Sequence, residues 1–480
     1  MGTDDETDFL ADLAKEELAK KLRGEVITEK DAEEIYNASK LIWNGDWEIK
    51  NAPKIVVHAR GVNDVQQTIK FSKEHSLPLA IRCGGHSLKG LSTNSGGVVL
   101  DLGRYMKSVR VDLEKETVWF EGGCLVKDVD RETTPFGYAT VLGAVGNAGT
   151  GGLVSGGGYG YFSRMYGLSV DNLLGIDIVL ADGRLLRASE DLYPDLFWAV
   201  RGGQSNFGVI TGFTMRLFPC PQSIYGGLVL YDMDDARVVL EAFERFALDP
   251  NCPRAASTHI YSLSLSSDQK LLAVQICYLG DPHEGMKAYK PFLEAAPCVD
   301  NQAKITTYEQ YQVFSDEVYR IKGIPSYWRS RNLKHKHRLP IDDLIKIILA
   351  SPPEGILVVE HFGGRISEIP PEATAYRHRD QDFVVTFTGF GFQNSEARES
   401  VKSWINKSTI ALEPVLTGGS YINYDNGTAV ASFGENLTRL REVKTVYDPE
   451  NVFRCNINIL PLSEKDRANK SEATSKRSAR

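Results

Sequence analysis

Two short stretches of the 480-residue chain concentrate the groups that could do chemistry. Arg82-Cys83-Gly84-Gly85-His86-Ser87-Leu88-Lys89-Gly90 sets a lone imidazole inside a glycine loop, and a second glycine-dense run, GNAGTGGLVSGGGYG, spans 146–160. Glycine loses more backbone entropy on folding than any other residue, so such clusters mark positive φ or a close approach of backbone to something. Successive N–H groups in a tight loop form an anion nest, which makes phosphate one candidate. The two familiar phosphate fingerprints fail. Counting from Gly149, Gly151 is in place but Val154 stands where a third glycine should fall, and Gly85 to Gly90 is followed by Leu91 rather than Lys-Ser/Thr. The residues alone therefore leave two readings open: a diphosphate cradle of another kind, or plain tight turns.

Other chemistries find less support. Seven cysteines (83, 124, 220, 252, 277, 298 and 455) are scattered without a CxxC pair, which argues against a disulfide framework or a zinc site. His335 and His337 in KHKHR have no carboxylate or cysteine close by in sequence and read as a solvated basic segment, so no metal is expected. The net charge of −8 gives no electrostatic reason to expect nucleic acid, and no apolar run reaches the roughly 18 residues of a membrane span. The N-terminus is acidic and amphipathic and lacks a signal peptide's apolar stretch, which suits an intracellular, cytoplasmic protein.

The elements that must position these loops follow from periodicity. Residues 5–40 read as helical through Leu10, Leu13, Leu18 and Leu22. KIVVHAR, VNDVQQTIKFSKEHS and LPLAIRCGGHS then give strand, helix, strand and the glycine loop; GGVVLDLG, SVRVDL and TVWFEGG are short β-branched strands. Asp182-Gly183 marks a hairpin within 174–188. After FPCPQS the strands lengthen (GGLVLYDM, LSLSLSSDQKLLAVQICYLG, GILVVEHFGG, DFVVTFTGFGF) with helical stretches between them, a pattern for an antiparallel sheet covered by helices on one face. The fold class is α+β. The tail 463–480 has almost no apolar residues and reads as disordered.

Several segments, taken in order, resemble one family. Arg82-Cys83-Gly84-Gly85-His86-Ser87 is similar to the R-x-G-G-H-S loop of the vanillyl-alcohol-oxidase-type (PCMH-type) FAD-binding fold, in its berberine-bridge-enzyme-like branch. Gly156-Gly157-Gly158-Tyr159-Gly160, Arg164 to Leu168 and Asp171-Asn172 resemble its GGGxG…R-x-x-G-L-x-x-DN block, and Arg201-Gly202-Gly203 with Asn206 to Val209 its RGGxxNFGV segment. Tyr421-Ile422-Asn423-Tyr424-Asp425, Tyr447 to Arg454, and Asn456 with Asn458 resemble the C-terminal motifs, so the likeness runs from about residue 50 to 461.

The resemblance implies a two-part FAD-binding domain, 1–225 with 411–462 returning to it, and a substrate domain at 226–410. It assigns His86 to a covalent bond with the flavin's 8-methyl group. It further assigns Arg82, Gly84, Gly85, Ser87, Gly149, Gly151, Gly152, Gly157, Gly158, Gly208, Val209, Asn456 and Asn458 to holding FAD. Relatives that bind flavin twice carry a cysteine where this chain has Val145, so one link is expected. Ala148 takes the position that gates oxygen in relatives, and its small size favours an oxidase. The Lys and Gln/Glu that relatives place after an HR motif become Val385 and Phe387 here, which leaves Tyr424, then Tyr421, as the base. Trp328, Tyr327, His361, Phe387 and Phe390 would line an apolar pocket. The expected activity is oxidation of a small, hydrophobic organic molecule with O₂ as electron acceptor, possible products including cyclised ones in natural-product biosynthesis. A flavin-bearing cyclase without net redox chemistry is the alternative.

Overall fold

The computed structural model describes residues 10–266, 269–424 and 428–466. Three sheets organise it. The first orders its strands Glu25–Thr28, Ile55–His58, Val98–Asp101 and Leu79–Arg82, the last three parallel and the first antiparallel to its neighbour. The Val62–Glu74 helix connects Ile55–His58 to Leu79–Arg82, the two parallel strands that flank Val98–Asp101, and the Leu79–Arg82 strand runs directly into the His86 loop. The second sheet is antiparallel, in the order Val109–Asp112, Thr117–Glu121, Val209–Arg216, Leu173–Val179 and Leu185–Ser189, with the expected hairpin at Asp182-Gly183.

The third sheet is larger and antiparallel. Its long strands run in the order Ile224–Asp232, Lys270–Tyr278, Ala256–Ser264, Gly355–His361, Phe383–Phe390 and Ser326–Asn332. One face packs on the helices Ala236–Leu248, Pro282–Leu293, Ile341–Leu349 and Ser395–Leu412, where Phe243, Phe292, Ile348 and Trp404 meet Val229, Val274, Val359, Val385 and Phe387. The other face is turned toward the glycine loops. Because side chains alternate along a strand, each residue's parity decides whether it joins the helical core or the site.

After Leu416 the chain leaves this sheet, and Ile422, Phe433, Leu440, Val443, Ile457 and Ile459 enter the core of the second sheet. Buried ties hold that return. Lys444 Nζ lies 2.6 Å from Asp448 Oδ2 and donates to the carbonyls of Asn206 and Phe453; Asp448 in turn accepts from the N–H of Val452 and Phe453. Arg379 grips Asp171 through two bonds of 2.7 and 2.6 Å. Several residues of the family motifs therefore work as interlocks.

Two expectations need correction. The segment expected to be one helix from 5 to 40 is interrupted by the Glu25–Thr28 strand, because pairing with Ile55–His58 outweighs local helical spacing; residues 1–9 lie outside those described. In the tail, 464–466 form a helical turn, Ser463 bonds Asp466, and 467–480 lie outside the described residues.

Candidate active site

A cavity of about 280 Å³ lies between the glycine loops and the third sheet. His86, Gly84, Gly85 and Ser87 form one wall, Gly149, Gly151, Gly152 and Ala148 a second, and Trp328, Tyr421 and Tyr424 a third. The two glycine loops touch. A Cβ on Gly84 would stand 2.6 Å from the nitrogen of Gly149, and one on Gly149 2.3 Å from the nitrogen of Gly84. Gly85 has φ +74°, the left-handed conformation that bends the loop. No acceptor among the described residues takes the N–H of Gly85, His86, Ser87 or Leu88, whereas Gly90 and Leu91 are satisfied by Ser87. Four free donors in succession, with the Asn456 side chain on the same wall, form an anion cradle whose donor set suits a diphosphate.

The remaining residues assigned to FAD support the wall from behind. Arg82 is buried beneath the loop, 3.5 Å from Asp101 and bonded to the Leu41 carbonyl. Gly157 admits the rings of Tyr376 and Tyr421, and the Gly158 N–H donates to the Tyr421 hydroxyl at 3.0 Å. Gly208 and Val209 sit in the second sheet beside Val179, and Asn458 also stays off the wall.

Burial and the nearby Lys322 ammonium push the His86 imidazole down to about 4, so the ring is neutral. Cys83, its neighbour on the wall, is pushed up to about 11 by burial and stays a thiol, donating to the Cys124 carbonyl. Val145 lies on the same wall.

On the sheet side, parity divides the residues expected to line the pocket. Trp328 faces the cavity, with its ring 5.8 Å from that of Tyr424. Tyr327 and Phe387 point to the helical face, where Tyr327 lies beneath Arg398 and Phe387 meets Trp404 edge-on. His361 is also on that face, against Phe243, with its Nε2 2.6 Å from the Arg164 guanidinium. Phe390 has cavity parity but lies behind Trp43. The register of the last strand pairs Ser330 with Thr386 and Arg331 with Val385. Val384, Thr386 and Thr388 thus look toward the cavity, and Val385 and Phe387 look away. The expected base positions were offset by one residue.

That register brings in a carboxylate. Glu360, on the adjacent strand opposite Val384, shares the cavity face with Thr386, whose hydroxyl donates to it at 3.4 Å. It is 5% exposed, and burial pushes its carboxyl up to about 8. Its charge acts on Tyr424, Tyr421, Tyr319 and Tyr159. Burial, then Glu360, hold Tyr424 well above the ordinary tyrosine range; its hydroxyl has no hydrogen-bond partner among the described residues. Burial raises Tyr421 to about 12, and its hydroxyl accepts from Gly158 and from the Asn423 amide at 3.0 Å each. Asp425, the last residue of that motif, lies outside the described residues. A lone Glu in the apolar run GILVVEHFGG was the sequence signal for Glu360. Trp43, also unforeseen, stands in the turn-like stretch WNGD.

Away from the cavity, His335 of the KHKHR segment lies 3.0 Å from Asp382, a carboxylate distant in sequence but near in space. Among the described residues no helix is long and apolar enough to cross a membrane.

Comparison with known proteins agrees with the cradle. Residues 53–189 match the family model described as FAD binding domain, and 420–460 the one described as berberine and berberine like. An FAD-linked oxidoreductase of Dictyostelium discoideum is 30% identical over 450 residues, covering 91% of this chain and 95% of its own. The (R)-6-hydroxynicotine oxidase of Paenarthrobacter nicotinovorans is 27% identical over 92% of this chain and 97% of its own. Among solved structures, 6-hydroxy-D-nicotine oxidase of Arthrobacter nicotinovorans superposes with a TM-score of 0.81 at 26% identity, covering 91% of this chain and 98% of that one. A berberine-bridge-enzyme-like protein of Arabidopsis thaliana superposes at 0.82 and 22% identity, over 93% and 100%, a likeness of fold. The chain belongs to the berberine-bridge-enzyme-like FAD-linked oxidoreductases.

Proposed function

We propose that this chain is an oxidase of a small, largely apolar organic molecule bearing an alcohol, amine or activated C–H group, with FAD joined to His86. The observation that carries the reading is the arrangement of the cavity, which is lined together by residues 85–88, whose backbone N–H groups take no acceptor among the described residues, and by Tyr424. FAD, when bound, supplies hydride acceptance at N5 and passage of two electrons to O₂. The N–H groups of Gly85 to Leu88 and the Asn456 amide hold its diphosphate, and Gly149, Gly151 and Gly152 admit its ring system closely. His86, neutral at physiological pH, has a lone pair free for the link. Val145 leaves no thiol for a second one, and Ala148 leaves the wall open for oxygen.

Trp328 and the Tyr424 ring orient the substrate between sheet and cradle. As hydride departs, the substrate's O–H or N–H proton must be accepted. The Tyr424 hydroxyl is the free group on the wall, but burial disfavours its phenolate. Glu360, whose charge reaches Tyr424, titrates much closer to neutrality and is the group on the cavity face of the sheet suited to be the proton's final acceptor. A carboxylate on the cavity face favours the oxidase over the cyclase alternative, which drew on the lack of one at Val385 and Phe387. Mixing the yellow protein with candidate amines and alcohols under nitrogen tests the reading. Bleaching by substrate, and recovery of colour on admitting air with hydrogen peroxide formed, is expected of an oxidase. Turnover with an unchanged oxidised spectrum contradicts it.

A further inference from the structure

The His86 ring has an orientation problem. A side chain ending in an sp² ring has a broad, roughly two-fold torsion, and histidines with a defined chemical role are usually held by a hydrogen bond to the second ring nitrogen. Among the described residues none bonds either nitrogen of His86. What meets the ring is Trp43, stacked on it with centroids 5.7 Å apart and planes inclined by 17°.

Trp43 is itself held firmly. Its backbone N–H donates to the Gly85 carbonyl at 3.0 Å, its carbonyl accepts from the Gly323 N–H at 3.0 Å, and its indole N–H donates to the Tyr319 carbonyl at 3.1 Å. The next residue, Asn44, bonds the Leu88 carbonyl at 2.7 Å and the Ser326 carbonyl at 2.9 Å. A Cβ on Gly45 would stand 2.0 Å from the Gly323 oxygen, so this segment lies tight against 319–326. Trp43 is 1% exposed yet lines the cavity, with Trp328 at 6.4 Å and Phe390 at 5.8 Å against it. The Trp43-Asn44 pair is thus tied to both ends of the His86 loop and to the Ser326–Asn332 strand, and the indole itself to Tyr319.

We propose that Trp43 is the positioning residue that fixes the plane of the His86 imidazole for attachment of the flavin. The inference rests on the reading of His86 as the linked residue. In the attachment, an N–H bond of His86 and one C–H bond of the flavin's 8-methyl group break and one N–C bond forms. The two electrons and two protons released reduce the flavin ring, and dioxygen takes them to give hydrogen peroxide. The face of Trp43 holds the imidazole plane nearly parallel to the indole. Loss of an aromatic pair of this kind is expected to slow attachment roughly two- to tenfold.

The test uses the full chain, expressed under riboflavin limitation, incubated with FAD and sampled over time. Each sample is precipitated with acid, and flavin is read in the washed pellet and in the supernatant. For Trp43→Leu the expected result is FAD bound before precipitation but appearing more slowly in the pellet, while Trp43→Phe, which keeps a stacking face, stays near the wild-type rate. If the wild-type pellet is colourless, the His86 reading fails and this inference with it. If the wild-type pellet is yellow and Trp43→Leu attaches flavin equally fast, the inference alone is overturned. Should Trp43→Leu not fold, Trp43→Met replaces it. Failure of both to fold, or to bind FAD at all, assigns Trp43 to the core or the cradle and likewise overturns the proposal.

Discussion

Raising the pH from 6 to 8 should speed substrate oxidation about 50-fold, because the ionised fraction of a carboxyl titrating near 8 rises from about one in a hundred to one half. The value comes from the burial of Glu360 among tyrosines, with only the Thr386 hydroxyl bonded to it. Rapid mixing under nitrogen, following flavin bleaching at each pH, isolates the reductive step from oxygen chemistry. The rate should plateau above about pH 9, and Glu360→Gln should flatten the profile while leaving flavin content unchanged. A second consequence has a fixed sign. The folded-state pKa lies above the ordinary 4.5, so the folded protein binds more protons than the unfolded chain between about 4.5 and 8 and loses stability as pH rises through that window. Glu360→Gln escapes this loss and should gain on the order of 3–5 kcal/mol over wild type between pH 5 and 8. A wild-type rate independent of pH from 6 to 9, or a Glu360→Gln variant with the same sloping profile, would refute Glu360 as the proton's destination.

Three further outcomes are expected. Tyr424→Phe should slow anaerobic flavin reduction at least about tenfold, as befits a group that handles the substrate proton, with little change in flavin content; an unchanged rate excludes it from the transfer. Ala148→Leu, which adds bulk to the cavity wall, should slow reoxidation by air while leaving reduction intact, read by stopped flow in each half-reaction. Lys444→Met strands the fully buried Asp448 carboxylate and should cost about 3–5 kcal/mol in urea unfolding monitored by fluorescence.

Much of the scaffold was legible in the chain, and most of what was missed turns on parity and packing. Short β-branched runs between turn residues marked the strands of the first two sheets, and Asp182-Gly183 marked its hairpin, because turn chemistry is local. The ordered motifs carried the FAD assignment, and eight of the fourteen residues they pointed to stand on the cavity wall. The others (Arg82, Gly157, Gly158, Gly208, Val209, Asn458 and the interlocked pairs about them) act from one layer back, which a motif cannot distinguish from contact. Tyr327 and Trp328 are adjacent in sequence yet face opposite ways. A one-residue shift in register transfers every side chain of a strand to the wrong face. Glu360 was hidden for a related reason: its role depends on which strand lies beside Phe383–Phe390, a long-range pairing with no local signature. The Glu25–Thr28 strand inside an apparently helical segment is the same effect at the other end of the chain.

The proposed covalent bond between His86 and flavin is tested most directly by the mass of one peptide. Trypsin should release Cys83–Lys89 from the purified protein. This peptide should carry the mass of FAD less two hydrogens, with fragmentation placing the addition on His86. An unmodified Cys83–Lys89 peptide from protein that was yellow before digestion, its flavin recovered free, would contradict it.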